Sequence, residues 1–272
     1  MEDRQNLSAM KKTLLPRALG VMLAVALLNG CASAPLPRAA EVPPTTVTPP
    51  REAAAAAIEE PVTPREIVAA AAYKPLSPVP GDGWRVLFDG ASLDGWRATD
   101  FGGPGRVDVQ HGLLVFRMGS PFAGANYTKV VPKVNYEVTL EAMRVAGDDF
   151  FCGLTFPAGD SFASLIVGGW GGRLVGISSI DHNDASENET TQTMTFETGR
   201  WYRIRLRVTE QRIEAWIDQK KIINVVTAGR TLSLRAGQIE LSKPFGLASW
   251  LTSAAFRDLK IRDVSAPADP AP

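Results

Sequence analysis

Thiols and imidazoles are scarce in this chain: two cysteines and two histidines among 272 residues. With one cysteine near each end of the secretory question (Cys31 early, Cys152 deep in the chain), no disulfide framework can be built from them if Cys31 is used otherwise. Charge of one sign is also missing. Lys plus Arg and Asp plus Glu number 29 each, so there is no basic footprint, and nucleic acid is not an expected partner. No Ser-His-Asp context, no Gly-x-Gly-x-x-Gly after a strand, no P-loop and no His-Glu-x-x-His is present, which leaves the common nucleotide and zinc-protease chemistries without support. What is present is 45% hydrophobic and 21% charged residues, a globular balance.

The aromatic residues and prolines divide the chain. Residues 32–80 hold eleven of the twenty prolines, whereas all six Trp and all eleven Phe lie between Trp84 and Phe256. One folded domain over residues 81–264 follows, since only that region can bury a substantial core. Ahead of it, Lys11, Lys12 and Arg17 precede an uncharged apolar run of eleven residues, 18–28. That length suits a signal-peptide core and is too short to span a bilayer. Leu28-Asn29-Gly30-Cys31 resembles a bacterial lipobox, which makes residues 1–31 a lipoprotein signal and Cys31 the lipidated residue; a plain secretory signal with an incidental cysteine is the alternative. With Ala32 after Cys31, the resemblance implies the cell envelope, lipid-anchored at the outer membrane, with the membrane as a partner. Residues 32–80 read as a Pro/Ala-rich tether, partly extended and locally helical: the alanine stretches at 53–57 and 69–72 favour helix, Pro61 and Pro64 interrupt them, and little apolar surface is available to dock; 265–272 reads as a disordered tail.

Within the domain the apolar period is two. Tyr136, Val138, Leu140 and Ala142 alternate with Glu137, Thr139 and Glu141; Tyr202, Ile204, Leu206 and Val208 alternate with Arg203, Arg205 and Arg207. Such alternation predicts antiparallel strands with one face wet. Further strands are expected at 113–118, 127–131, 150–156, 162–167, 174–180, 213–218, 222–226, 245–250 and 256–264, and no helix beyond a turn or two. About a dozen short strands indicate an all-β jelly-roll β-sandwich. Cys152 reads as a small hydrophobe packed in a strand, and the three arginines as cross-strand partners of Glu137, Glu141 and Glu214.

Trp84, Leu87, Phe88 and Gly90, then Leu93, Gly95 and Trp96, are similar to the opening pattern of the 3-keto-disaccharide hydrolases, also called 3-keto-glucoside lyase/hydratase domains. Phe256-Arg257-Asp258-Leu259-Lys260-Ile261-Arg262 resembles their closing strand. The resemblance implies a concanavalin A-like (laminin-G-like) jelly-roll and action on an oxidised sugar by elimination and hydration. The family's central Asn-Ser-Gly and Glu-x-Gln stretches have no counterpart here; Asp149 to Phe156 and Ser161 to Trp170 stand in their places, so the resemblance assigns no catalytic residue.

Candidates therefore come from composition. Four glycines flank Trp170, which either presents its indole to a saccharide or folds over the core. Residues 181–189 hold four carboxylates, one imidazole and two amides, and read as a saccharide-contacting loop, a divalent-cation site, the home of a general base, or a solvated hairpin tip. His182, Asp181 and Glu187 are the catalytic candidates, with Trp170, Glu189, Asn183 and Trp250 as substrate-binding candidates. Asp148 and Asp149 read as a base, a cation ligand or an ordinary turn. A divalent metal ion is a candidate cofactor with unknown ligands. Two readings follow: an enzyme acting on 3-keto-glycosides, or a glycan-binding or structural envelope lipoprotein without catalysis.

Overall fold

A computed structural model describes residues 62–264. The signal segment, Cys31, the tether up to residue 61 and the tail 265–272 lie outside the described residues. Two antiparallel sheets carry the fold, their strands numbered in chain order. The first runs β13 (Lys220–Val226), β12 (Arg212–Ile217), β11 (Tyr202–Val208), β6 (Tyr136–Gly147), β15 (Thr252–Asp263), β4 (Leu113–Phe116) and β3 (Val107–Gln110). β1 (Arg85–Val86) pairs with β15 beside this path. The second runs β10 (Gln192–Thr193), β9 (Leu174–Ser178), β8 (Ser161–Gly168), β7 (Cys152–Ala158), β14 (Gly246–Trp250), β5 (Phe122–Tyr127) and β2 (Trp96–Ala98). This is the expected jelly-roll β-sandwich.

The alternation of β6 and β11 builds the space between the sheets. Tyr136, Val138, Leu140, Ile204 and Leu206 meet Leu154, Phe156, Leu165 and Val167 from the second sheet. Cys152 is buried in this layer, and burial pushes its thiol pKa up, which leaves it an inert hydrophobe. The two family-like motifs are neighbours in space: Leu87 N–H donates to Leu259 O (2.8 Å), and the Arg262 guanidinium lies 4.4 Å from the Trp84 ring.

The opposite face of the first sheet is not wet, contrary to expectation. Glu137 and Glu141 are fully buried there. Glu137 accepts from Arg205 (2.8 Å), Arg207 (3.1 Å) and Arg262 (2.9 Å), and Glu141 from Arg257 (2.7 Å). The cross-strand pairing of the arginines was legible; its cover was not. That cover is the segment read as the end of a free tether. α1 (Pro64–Ala72) buries Val68 and Ala71 against Leu113, Val115, Met143, Val145, Trp201 and Ala255. Pro64 does not interrupt this helix, because it occupies the first turn, where its missing N–H costs nothing. Thr63 and Glu66 close a capping box ahead of it. Beyond α1, Arg257 donates to the carbonyls of Lys74 (2.7 Å) and Pro75 (3.0 Å), Arg203 donates to Ser77 O (3.0 Å), and Ser77 N–H donates to Glu141 (2.8 Å). The folded unit therefore begins near Thr63 rather than Gly81, and truncation before Gly81 strips a packed strap from it.

Val68→Asp places an unpaired carboxylate against this apolar patch and should cost about 2–4 kcal/mol. At roughly 2–4 °C per kcal/mol for a domain of this size, the Tm in a thermal melt falls by about 5–15 °C. Deleting residues 62–80 should lower it at least as far. An unchanged melt in either variant would remove the strap from the core.

Candidate functional site

On its outer face the second sheet forms a pocket of about 420 Å³. The same alternation that sends Leu165 and Val167 of β8 inward turns Ser164 and Ile166 outward into it, with Ser178 of β9 beside them. Phe122, Trp250 and Ile239 form an inner wall that continues into the floor at Ile166, residues 235–238 cover another side, and Asp149, Phe150 and Trp170 complete the lining. The rings are mutually locked. Trp250 stands edge-on to Phe122 (4.6 Å, 88°), and Phe101 stacks beneath Phe122 (4.7 Å, 25°). Such offset and edge-to-face contacts each add about 0.5–1.5 kcal/mol to simple burial, which holds the wall in place.

The glycine run does present Trp170. Its indole is 43% exposed at a backbone φ of +47°, in the left-handed region that a tryptophan seldom occupies. The cause lies underneath. Arg144 follows Tyr136, Val138, Leu140 and Ala142 on the inward-facing positions of β6 and projects its guanidinium at the end of the inter-sheet layer. There it donates to the carbonyls of Gly172 (2.9 Å), Asp149 (3.2 Å), Phe196 (3.2 Å) and Gly168 (3.4 Å), and among the described residues no carboxylate pairs with it. Burial pulls its pKa below the usual arginine value. A Cβ at Gly168 would lie 2.7 Å from this guanidinium, and one at Gly172 would lie 2.7 Å from Asp148 O. Both glycines are thus required by close approach, and Arg144 holds the two segments that carry Asp149 and Trp170.

The carboxylate of Asp149 accepts from Phe150 N–H (2.7 Å) and Gly171 N–H (3.3 Å) and makes no ion pair among the described residues. Across the pocket, Arg235 lies 5.7 Å from the Trp170 ring and donates to Asp184 (2.6 Å), which also accepts from Ser178 Oγ and from Ala185 N–H (2.8 Å).

The remaining sequence candidates are elsewhere. Trp170 and Trp250 share the pocket, but Asp181, His182, Asn183, Glu187 and Glu189 do not line it. Asp181 (φ +49°) and His182 (φ +67°) are the central residues of a tight hairpin turn closed by Ile180 N–H to Asn183 O (3.0 Å) and the reverse bond (2.9 Å). Thr231 N–H and Arg230 hold the Asp181 carboxyl below its ordinary pKa, and Arg230 does the same for Glu189, so neither is set up to take a proton. Glu187 is exposed, and Asn183 is spent on Asp181 O (3.3 Å). The loop is tied internally by Asn188, whose amide donates to Ile177 O and Asp184 O (both 2.8 Å). A divalent ion does not fit these residues. Asp181, Asp184 and Glu189 already take arginines as their cations, and among the described residues no three His, Cys, Asp or Glu side chains converge.

Asp149 was weighed in sequence with Asp148 as a base, a cation ligand or an ordinary turn and was not put among the site candidates, and Arg235 and Arg144 were missed. Arg235 sits in a stretch without period. Arg144 had a signal, a charge on the core-facing register of β6, two residues past the point where the alternating run was ended.

Residues 83–262 match the 3-keto-alpha-glucoside-1,2-lyase-like domain. The chain belongs to this family. No curated protein matches it. Among solved structures it is similar to the carbohydrate binding module CBM66 from Bacillus subtilis (11% identity, 62% of this chain and 96% of that one, TM-score 0.43). It is also similar to a protein of unknown function with a galectin-like fold from Bacillus subtilis (11%, 66% and 94%, 0.46). Domain 4 of the extracellular arabinanase AbnA from Geobacillus stearothermophilus, in complex with arabinotriose, is similar at the same level (12%, 62% and 82%, 0.41).

Gly172→Ala should cost about 2–4 kcal/mol, because the methyl meets backbone as well as a left-handed φ. Gly171→Ala, whose φ is similarly positive (+78°) but whose Cβ would have nothing within 4 Å, should cost only about 1 kcal/mol. Chemical denaturation of both variants measures the difference; equal losses would mean that Arg144 and Asp148 do not crowd the loop.

Proposed function

We propose that the protein binds a saccharide in the pocket between Trp170 and Trp250. One observation carries this reading: two tryptophans, one of them exposed, face a preformed pocket that also holds a carboxylate without an ion pair among the described residues. Flat indole faces suit the apolar faces of sugar rings, and a few placed polar groups fix orientation. Family membership supports a finer step, elimination at a 3-keto-glycoside. The keto group acidifies the C2 proton; a base removes it, the electron pair forms the C1–C2 double bond, and the glycosidic oxygen leaves with C1–O cleavage. Water then adds across the double bond to complete hydrolysis. Asp149 replaces His182 as the base in this proposal, since it lines the pocket and His182 does not. Without such turnover, the binding reading stands alone.

The decisive experiment combines titration and turnover. Purified protein is titrated with 3-ketotrehalose and 3-keto-glucosides, and products are followed by mass spectrometry. Trp170→Ala and Trp250→Ala should each weaken binding by about tenfold. Asp149→Asn should lower turnover by about 100-fold or more while binding persists. No product from the wild type removes the elimination step, and no binding removes the saccharide.

We further propose that the domain works at the outer membrane on a lipid attached to Cys31, supported by the lipobox-like Leu28-Asn29-Gly30-Cys31 after a short apolar run. Metabolic labelling with a fatty acid should mark the wild type and not Cys31→Ala. Equal labelling of both would refute the anchor.

A further inference from the structure

The hydroxyl and amide groups of the pocket mostly turn to partners within the protein. Ser164 Oγ is paired with Thr155 Oγ1 (2.8 Å), Ser178 Oγ donates to Asp184, and Gln238 Nε2 donates to Phe101 O. Arg235 donates to the same Asp184 (2.6 Å) through one Nη and keeps further N–H groups at the exposed mouth. Asp149 retains acceptor capacity beyond its two backbone bonds, and Gln238 retains its amide oxygen. These groups are unevenly placed. Trp170 and Arg235 are exposed at the mouth, whereas Phe122, Ile166 and Ile239 are each less than 8% exposed and form the floor with Trp250. The floor therefore offers rings and branched alkyl groups and almost no free donor or acceptor.

A sugar ring carries a hydroxyl on most of its carbons, and each hydroxyl buried without a partner costs about 1–3 kcal/mol. Two sugar rings packed wholly inside would leave several hydroxyls unpaired. A flat apolar ring leaves none, and it continues the edge-to-face pattern that Phe122 already makes with Trp250 (4.6 Å) and Phe150 (6.2 Å, 59°). A volume of about 420 Å³ is at the lower end of small-molecule sites, enough for a ring and its attachment. Resting on the saccharide reading above, we infer that the ligand is a glycoside with an aromatic aglycone. The aglycone fills the floor, and the sugar sits at the mouth against Trp170 and within reach of Asp149.

The test is a matched ligand series on wild-type protein by isothermal titration: methyl α-glucoside, phenyl α-glucoside and trehalose, each also as its 3-keto form. Phenyl glucoside should bind at least about tenfold more tightly than methyl glucoside, through the apolar area it buries. Ile239→Ser and Trp250→Ala should erase most of that ratio. Trehalose binding as tightly as phenyl glucoside would overturn the aromatic aglycone while leaving the saccharide reading intact. Phenol binding as well as phenyl glucoside would overturn the sugar's place at the mouth and the saccharide reading with it. No binding by any member would sink both. Because the ratio is measured on the wild type first, a variant that fails to fold does not decide the outcome.

Discussion

Each strand of a two-sheet fold can commit only one of its faces to the space between the sheets, and the fate of the other two faces follows from that. In this chain the inner layer is closed by β6 and β11 on one side and β7 and β8 on the other, all contributing branched or aromatic side chains at every second residue. The outer face of the first sheet is filled with charges and sealed by a strap. The outer face of the second is hollowed into a pocket. One alternation thus produces a core, a sealed back and an open front.

The sealed back is electrostatically demanding. Burying Glu137 and Glu141 is tolerable only because three arginines converge on the first and two on the second, and burial of ion pairs is costly unless the remaining donors also find partners. The strap supplies many of those partners from its backbone: Lys74 and Pro75 carbonyls for Arg257, the Ser77 carbonyl for Arg203, and the Ser77 N–H for Glu141. A segment that would be a loose connector by composition is held by its main chain, which carries no compositional signature. The arrangement also accounts for a proline-rich stretch being ordered, since carbonyl acceptance needs no N–H.

Sheet structure was legible because period two is a direct consequence of strand geometry. The errors have physical origins as well. β5 was misplaced to 127–131, where the structure has Phe122–Tyr127, because Ala123, Gly124, Ala125 and Asn126 give little hydrophobic contrast. Those small residues are themselves a packing requirement: a Cβ on Gly124 would lie 2.5 Å from Leu247 O and 2.9 Å from the Phe101 ring. The helical tendency of 69–72 was legible, but α1 as a docked element was not, because Pro64 was read as an interruption without asking which helix position it takes. In the site, the two tryptophans were candidates by sequence, and both line the pocket. The polar loop 181–189 drew attention by composition, yet its carboxylates serve arginines and a turn. Asp149 and Arg144 acquire meaning only once β6, β7 and the glycine run meet in space.

Arg144 shows how the back, the core and the front are coupled. It occupies an inward register of β6, so the layer that closes the core also delivers a buried cation to the pocket's underside. With four carbonyls and the Phe151 ring as its partners among the described residues, that cation is most stable when Gly168, Gly172, Asp149 and Phe196 hold their oxygens in place together. One guanidinium thus ties the Trp170 segment to the Asp149 segment. A pocket walled by segments tied in this way is built before anything enters it, and preorganisation of that kind lowers the ordering cost of binding.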